Sequence, residues 1–225
     1  MILKDVSFPY PEENLIYDQT LLELAEAGSL GETLRFWESD TYFIVLGRTS
    51  KISDDVNLSN AESDKICVLR RSSGGGTVLQ GPGCLNYSLV LSYERDTLLR
   101  GIRSSYAYIL NRICGALKKL GVKAEIMPLS DIAVGKRKFS GNAQCRRRKY
   151  LLHHGTILYD FSIDKMELYL KQPGEEPPYR KKRTHRDFLT NIRRETSEIK
   201  QAIASFWIEE FSCIESGGIL FSLPG

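Results

Sequence analysis

The sequence predicts an α/β protein. Strand-like apolar runs and helix-like periodic segments are interleaved along the chain, with no internal repeat or low-complexity stretch. A hydrophobic content of 42% beside 26% charged residues is the balance of an ordinary globular protein, not of a disordered or fibrous one. With 225 residues the chain can bury a sizeable core. The unbroken interleaving favours one domain spanning residues 1–225.

The elements follow in order. Asn14 is a candidate cap for a helix through Leu15, Leu21, Leu22 and Ala25, with Gly28 as its stop. Phe36-Trp37-Glu38 and Thr41 to Gly47 read as two short strands joined by the turn-favouring pair Ser39-Asp40. Cys67-Val68-Leu69 is a further strand that leads directly into Arg70-Arg71-Ser72-Ser73-Gly74-Gly75-Gly76. From Ile102, the apolar residues Tyr106, Ile109, Ile113, Leu117 and Leu120 recur at helical steps, and Gly121 ends the pattern. Val122 to Ile126 and Asp131 to Val134 read as strands, the second turning at Gly135-Lys136 into Arg137-Lys138-Phe139 as a hairpin. Leu151 to Tyr159 supplies another strand, and Gln172 to Pro178 is a loop by its proline and glycine content. Ile199, Ala202, Ile203, Phe206 and Trp207 mark a last helix, and Ile219 to Phe221 a terminal strand.

Several functional classes are disfavoured. No apolar run approaches the roughly 20 residues of a membrane span, and the start MILKDVSFPYPEENL lacks the pattern of a signal peptide, which predicts a cytoplasmic protein with no membrane partner. Cys67, Cys84, Cys114, Cys145 and Cys213 are odd in number, scattered and without a CxxC pair, so free thiols are expected. Adjacent His153 and His154 face opposite sides of a strand and cannot share a metal, and neither HExxH nor a GxSxG elbow is present. The net charge is only +3, yet basic residues gather at Lys136-Arg137-Lys138, Arg146 to Lys149 and Arg180 to Arg183. Such runs suit phosphate groups or an acidic partner, as well as plain solvated faces. Nucleic acid is a poor candidate, because no RNP, KH or zinc-knuckle pattern accompanies Tyr150 and Tyr179.

Two segments carry chemistry. Three glycines after a strand let backbone come close to a ligand and turn N–H groups toward an anion, although taken alone they also suit a flexible hairpin. Arg71 beside Ser73 adds a guanidinium suited to a carboxylate or phosphate. Downstream, Lys138-Phe139-Ser140-Gly141-Asn142-Ala143-Gln144 places a lysine on a strand, followed by small and amide side chains.

The segments Arg70 to Val78, Gly83-Cys84-Leu85-Asn86-Tyr87-Ser88, Asp131, Lys138 to Gln144 and His153-His154-Gly155-Thr156 resemble, in order and spacing, the lipoate-protein ligases. Phe43 to Arg48, Tyr179-Arg180, His185, Phe188 and Asn191 extend the likeness over nearly the whole chain. The resemblance implies a mixed β-sheet flanked by helices, as in biotin ligases and, distantly, class II aminoacyl-tRNA synthetases. It implies that ATP and lipoate condense to lipoyl-AMP, with Mg2+ arriving on the nucleotide, and that an acceptor lysine then attacks the activated carbonyl. Acceptors would be the lipoyl domains of 2-oxo acid dehydrogenase E2 subunits and the glycine cleavage H protein.

Carried over by position, Arg71, Ser73, Gly74, Gly75, Gly76, Thr77, Val78 and Leu79 would hold the adenylate and the lipoyl chain. Lys138 would contact the lipoyl carbonyl oxygen and the α-phosphate, and Asp131 would orient Lys138 or the incoming amine. Asn86, Ser140, Gly141, His154, Gly155 and Thr156 would line the lipoyl pocket. The sequence departs from the family pattern at Cys84, where asparagine is usual, and at Gln80, a place often held by histidine. It also stops near Gly225, where two-domain members continue, which implies a separate accessory protein for adenylation. A related class moves octanoyl or lipoyl through a cysteine thioester, with that cysteine shortly before the equivalent of Lys138. Here Met127 to Ile132 holds none, and Cys145 follows the lysine.

Overall fold

A computed structural model describes residues 1–128 and 130–208. Its strands are β1 (Ile2–Asp5), β2 (Thr33–Trp37), β3 (Phe43–Leu46), β4 (Cys67–Arg70), β5 (Val78–Gln80), β6 (Cys84–Ser92), β7 (Glu125–Met127), β8 (Asp131–Val134), β9 (Arg137–Arg146) and β10 (Tyr150–Leu158). Its helices are α1 (Pro11–Glu26), α2 (Ile52–Asp55), α3 (Leu58–Ser63), α4 (Ile102–Lys119), α5 (Ile163–Tyr169), α6 (His185–Phe188) and α7 (Thr196–Ala204). Seven strands form a mixed sheet in the order β1-β2-β6-β10-β9-β8-β7, and β4-β3-β5 form a second, three-stranded sheet. Only β1–β2 and β3–β4 pair in parallel; the remaining ladders are antiparallel. The α/β class and the mixed sheet flanked by helices are as the sequence predicts.

The large sheet has two unlike faces, because side chains alternate along each strand. One face carries Leu34, Phe36, Leu85, Tyr87, Leu89, Leu91, Leu151 and Ile157 into the main core, where they meet Ile109, Ile113 and Leu117 of α4 and Ile199 and Ile203 of α7. Each large aliphatic side chain buried there contributes about 1.5–3 kcal/mol. The other face is polar near its middle: Trp37, Asn86 and Thr156 are register partners, as are Arg35, Ser88 and His154 one step along. Helix α1 covers part of that face. Its Asp18 takes Arg35 at 2.8 Å, the Ser88 hydroxyl at 2.6 Å and the Trp37 indole at 3.2 Å. The small sheet covers a neighbouring part through Phe43 and Val45, which pack with Trp37.

Two expectations are corrected and a third gains detail. Asn14 is not the helix cap: α1 begins three residues earlier, with Pro11 in the first turn and Tyr10 at the N-cap. Pro11 suits that turn, where no N–H is needed. The buried Asn14 side chain accepts from Phe8 N–H and from Arg35, and donates to the Phe8 and Tyr10 carbonyls. The two strands expected on either side of Ser39-Asp40 are present as β2 and β3, and they lie in different sheets. Phe36 lies opposite Tyr87 in the large sheet, whereas Phe43 lies opposite Gln80 in the small one. The strand expected from Val122 shortens to Glu125–Met127.

Other elements hold their places. Helix α4 ends before Gly121, whose φ of +75° is one that L side chains rarely adopt. The β8–β9 hairpin turns at Gly135 and Lys136, with φ of +54° and +64°, the pair of positive values a type I′ turn requires. Among the described residues the last helix is α7, which ends at Ala204, before the Phe206 and Trp207 expected in it, and the strand expected at Ile219 to Phe221 lies outside the described residues. No helix among the described residues is long and apolar enough to cross a membrane.

Candidate active site

A cleft of about 1130 Å³ opens between the polar face of the large sheet and the segment that joins β4 to β5. That segment is the triple-glycine loop. It is pinned at its start by Arg48 N–H to the Ser73 carbonyl at 2.9 Å and Arg71 N–H to the Leu46 carbonyl at 3.1 Å, and at its end by Thr77 Oγ1 donating to Asp55 at 2.5 Å. Gly75 takes φ +91°, and its carbonyl passes so near Gly47 that a Cβ built on Gly47 would lie 1.8 Å from the oxygen. Glycine is therefore required at Gly47 by close backbone approach and at Gly75 by its positive φ, with the Arg71 guanidinium against the same position.

Arg71 braces this loop from within. Its guanidinium donates to the Gly74 and Gly76 carbonyls at 2.8 Å each, to Ser73 Oγ at 3.1 Å and to the Val45 carbonyl at 3.3 Å. Burial pushes the guanidinium down to about 10, so it remains charged at neutral pH. Ser73 Oγ in turn lies 2.6 Å from His154 Nε2, tying the loop to β10. Burial, with Arg71 adding to it, lowers His154 to about 3, which leaves a neutral imidazole at this junction. His153, on the opposite face, is fully buried against the Tyr87 and Tyr106 rings and has no part in the cleft.

Across the cleft stands Lys138. The β8–β9 register slips between Ile132 and Ala133, which pair with Ser140 and Lys138 and leave Phe139 as the extra residue. Such a bulge re-aims side chains. Phe139 enters the main core, while Lys138 lines the cleft. Lys138 Nζ lies 2.8 Å from Asp131 Oδ1, and the Tyr179 hydroxyl donates to Asp131 Oδ2 at 2.7 Å. Burial first, then the adjacent Asp131 charge, raises the Tyr179 hydroxyl well above its ordinary value and keeps it a donor. Gly141 provides the room, since a Cβ there would stand 2.9 Å from Lys138 Nζ.

Most residues expected at the site meet here. Arg71, Gly75, Gly76, Thr77 and Val78 line the cleft from the loop side. Asn86, Asp131, Lys138, Gly141, His154, Gly155 and Thr156 line it from the sheet side. Leu79 and Ser140 instead border a smaller adjoining pocket of about 100 Å³ that shares Val78, Lys138 and Thr156 with the cleft. Ser73 is buried between Arg71 and His154, and Gly74 acts through its carbonyl.

Reading the residues singly did not assign a role to Gly47, Tyr179 or Asp18. Gly47 and Tyr179 fall in segments that carry the family likeness, whereas nothing local marks Asp18. Among the described residues no group of three or more His, Cys, Asp or Glu could hold a metal ion.

The four described cysteines all lie off the cleft lining. Cys145 packs with Leu21, Leu22 and Leu152 beneath α1, and Cys84 is buried in the core under the small sheet.

Comparison with known proteins identifies a family. The family model of the lipoyl protein ligase A/B catalytic domain matches residues 10–211. The lipoate-protein ligase LplJ of Bacillus subtilis is 34% identical over 128 residues, which cover 57% of this chain and 37% of that protein. The octanoyltransferase LipM of Carboxydothermus hydrogenoformans is 32% identical over 224 residues, covering 88% of this chain and 82% of its own length. The chain thus covers less than half of the curated ligase and most of the transferase. Among solved structures, a bi-partite lipoate protein ligase from Thermoplasma acidophilum, described with its E2 lipoyl domain, superposes with a TM-score of 0.76 at 25% identity, covering 92% of this chain and 82% of that one. With nearly its whole length matched by the family model and a cleft built from the expected segments, the chain belongs to the lipoyl protein ligase A/B catalytic domain family.

Proposed function

We propose that the chain is an ATP-dependent lipoate-protein ligase. The observation that carries this reading is Lys138, a cation fixed by Asp131 at the junction of the cleft and its adjoining pocket, opposite the glycine loop. Activation of a carboxylate by ATP brings two anions together, so a fixed positive charge at the meeting point lowers the barrier. Lipoate lies with its carboxylate toward Lys138 and its chain along the apolar part of the cleft lined by Leu15, Trp37, Val45 and Val78. The carboxylate attacks the α-phosphorus, pyrophosphate leaves, and Lys138 Nζ balances charge on the transferred phosphoryl group. Asp131 and Tyr179 hold that amine in place before and after the step. In the second half-reaction the amine of an acceptor lysine attacks the acyl carbonyl, and AMP departs. Magnesium enters with the nucleotide phosphates, as suits an ion that keeps several of its waters.

The acceptors are lipoyl domains of 2-oxo acid dehydrogenase E2 subunits, a reading supported by the Thermoplasma ligase described with its E2 lipoyl domain, and, on the family resemblance alone, the glycine cleavage H protein. That relative's bi-partite character supports a separate accessory protein for adenylation. The test is direct. Pure protein, lipoate, Mg2+ and radiolabelled ATP are incubated with and without an apo-lipoyl domain, and pyrophosphate release and lipoyl transfer are measured. Absence of both, with the accessory protein of a bi-partite relative also added, would sink the reading.

A second reading, thioester-based octanoyl transfer between carrier proteins, is favoured by the LipM relative. What weighs against it is the placement of all four described cysteines away from the cleft lining. An octanoyl thioester trapped on Cys145, or an inactive Cys145→Ser protein, would move the enzyme to that class.

A further inference from the structure

Two basic runs of the sequence meet at the rim of the cleft. Lys136 and Arg137 stand at the β8–β9 turn, immediately before Lys138, and Lys181 to Arg183 follow Arg180, which lines the cleft from the 171–184 segment. Guanidinium groups join the two loops. Arg183 Nη2 donates to the Lys136 carbonyl at 2.9 Å and to the Tyr179 carbonyl at 2.8 Å, and Arg137 Nη2 donates to the Arg186 carbonyl at 2.9 Å. These bonds go to neutral oxygens, so they fix the loops and leave the positive charge uncancelled.

The carboxylates nearby are engaged elsewhere. Glu176 takes Arg180 and the Lys182 N–H, Asp164 takes Arg186, and Asp187 takes the Thr184 hydroxyl. Among the described residues, none of Lys136, Arg137, Lys181, Lys182 and Arg183 forms an ion pair. Lys136, Lys181 and Lys182 are exposed. They also hold φ of +64°, +54° and +57°, left-handed values that glycine or asparagine adopts at less cost. Lysine at such positions is unfavourable for the backbone, and no ion pair within the described chain compensates for it.

The proposed acceptor must bring a lysine into a cleft already walled by Lys138 and Arg71. That amine is protonated in solution, so like charges oppose its entry. Carboxylates around the target lysine offset the opposition when they meet a basic rim. Exposed ammonium groups on two stapled loops suit such a face, because each is a point charge on a flexible stem.

We infer that Lys136, Lys181 and Lys182 form the docking face for an acceptor protein whose target lysine is ringed by carboxylates. The inference rests on the ligase reading and names the surface at which that reading's acceptor arrives.

The test replaces the three lysines together, Lys136→Asn with Lys181→Asn and Lys182→Asn, because asparagine removes the charge and tolerates the positive φ. A second variant, Lys136→Arg with Lys181→Arg and Lys182→Arg, keeps the charge. Transfer from supplied lipoyl-AMP is measured against the concentration of an apo-lipoyl domain. Pyrophosphate release from ATP and lipoate is measured without acceptor, with the accessory protein of a bi-partite relative present. The asparagine variant is expected to show an acceptor KM raised about tenfold, within what steering by clustered charge supplies, at unchanged kcat and pyrophosphate release. Added salt should raise the wild-type KM and close the gap between the two proteins. The arginine variant should keep the wild-type KM. Changing the acceptor carboxylates nearest its target lysine to amides should raise KM for the wild type and not for the asparagine variant.

An unchanged acceptor KM in the asparagine variant overturns the proposal. So does a fall in its pyrophosphate release, which would assign the cations to the nucleotide phosphates. Binding of an RNA oligonucleotide that the variant loses, at unchanged acceptor KM, would assign the patch to nucleic acid instead. If the wild type neither releases pyrophosphate nor transfers lipoyl, the ligase reading fails first and the inference falls with it.

Discussion

Lys138 Nζ stands 2.8 Å from Asp131 Oδ1, while the other oxygen of the same carboxylate takes the Tyr179 hydroxyl from 48 residues downstream. The carboxylate that holds the cation is therefore itself engaged from two directions, by a strand lysine and by a loop tyrosine. Lys138→Ala is expected to reduce adenylate formation by about 100-fold or more, the scale seen when a preorganised charge is removed. Its melting temperature should change little, because the side chain is partly exposed and Asp131 keeps the Tyr179 hydroxyl when the amine is gone. Tyr179→Phe should lower the rate by less. Pyrophosphate release on both variants, beside their melting curves, checks the pair; near-normal turnover by Lys138→Ala would remove the assignment.

Gly47 tests the glycine loop from outside it. Since a Cβ at this position would meet the Gly75 carbonyl, Gly47→Ala must displace the loop. A displacement of about 1 Å at a reacting centre can cost about 100-fold. The expected outcome is a folded protein with nucleotide-dependent activity reduced by about that factor. Full activity would mean that the loop position is not used.

The pH dependence of stability should carry a signature of His153. Burial, with His154 adding to it, lowers this imidazole to about 3 against an ordinary value of 6.5. The unfolded chain takes up a proton near the ordinary value and the folded chain only near the lowered one. Stability from this group is thus complete above the ordinary value and is lost as pH falls toward the lowered one. The slope is about 1.4 kcal/mol per pH unit. Urea unfolding of wild type and His153→Gln from about pH 7 down to about pH 5 should show the variant's slope smaller by about one proton. Equal slopes would mean that His153 takes up its proton alike in the folded and the unfolded chain.

Lys136 holds a positive φ of +64° in the β8–β9 turn, a conformation that glycine adopts without steric cost. Lys136→Gly should therefore stabilise the protein, by about 0.5 kcal/mol once the extra chain entropy of glycine is subtracted. Thermal melting decides the sign. A lower melting temperature would mean that the lysine side chain contributes more than its backbone conformation costs.

How far the sequence spoke for this fold depended on distance along the chain. Helix α4 was legible because Ile109, Ile113 and Leu117 repeat at helical spacing within one segment, and the β8–β9 hairpin because Gly135-Lys136 is a local turn signal. The start of α1 was misread because Asn14 spends its amide on Phe8, Tyr10 and Arg35, the last a contact made 21 residues away. Nothing local distinguishes a strand that pairs with its neighbour from one that leaves for another sheet, so the separation of Phe36 from Phe43 could not be read. At the site, Arg71, the glycines and Lys138 were visible as residue types in sequence order. Their geometry was not: Arg71 faces inward to brace the loop, and Tyr179 reaches Asp131 only once the 171–184 segment has folded over the sheet edge.

Strand β10 sends His153 and Ile157 into the helix-packed core and His154 and Thr156 toward the cleft. The two sets share a backbone but touch different neighbours, so a substitution in one set leaves the packing of the other nearly untouched. The residues that face the cleft can therefore change while the packed scaffold beneath them is kept, which separates what the strand holds together from what it presents to a ligand.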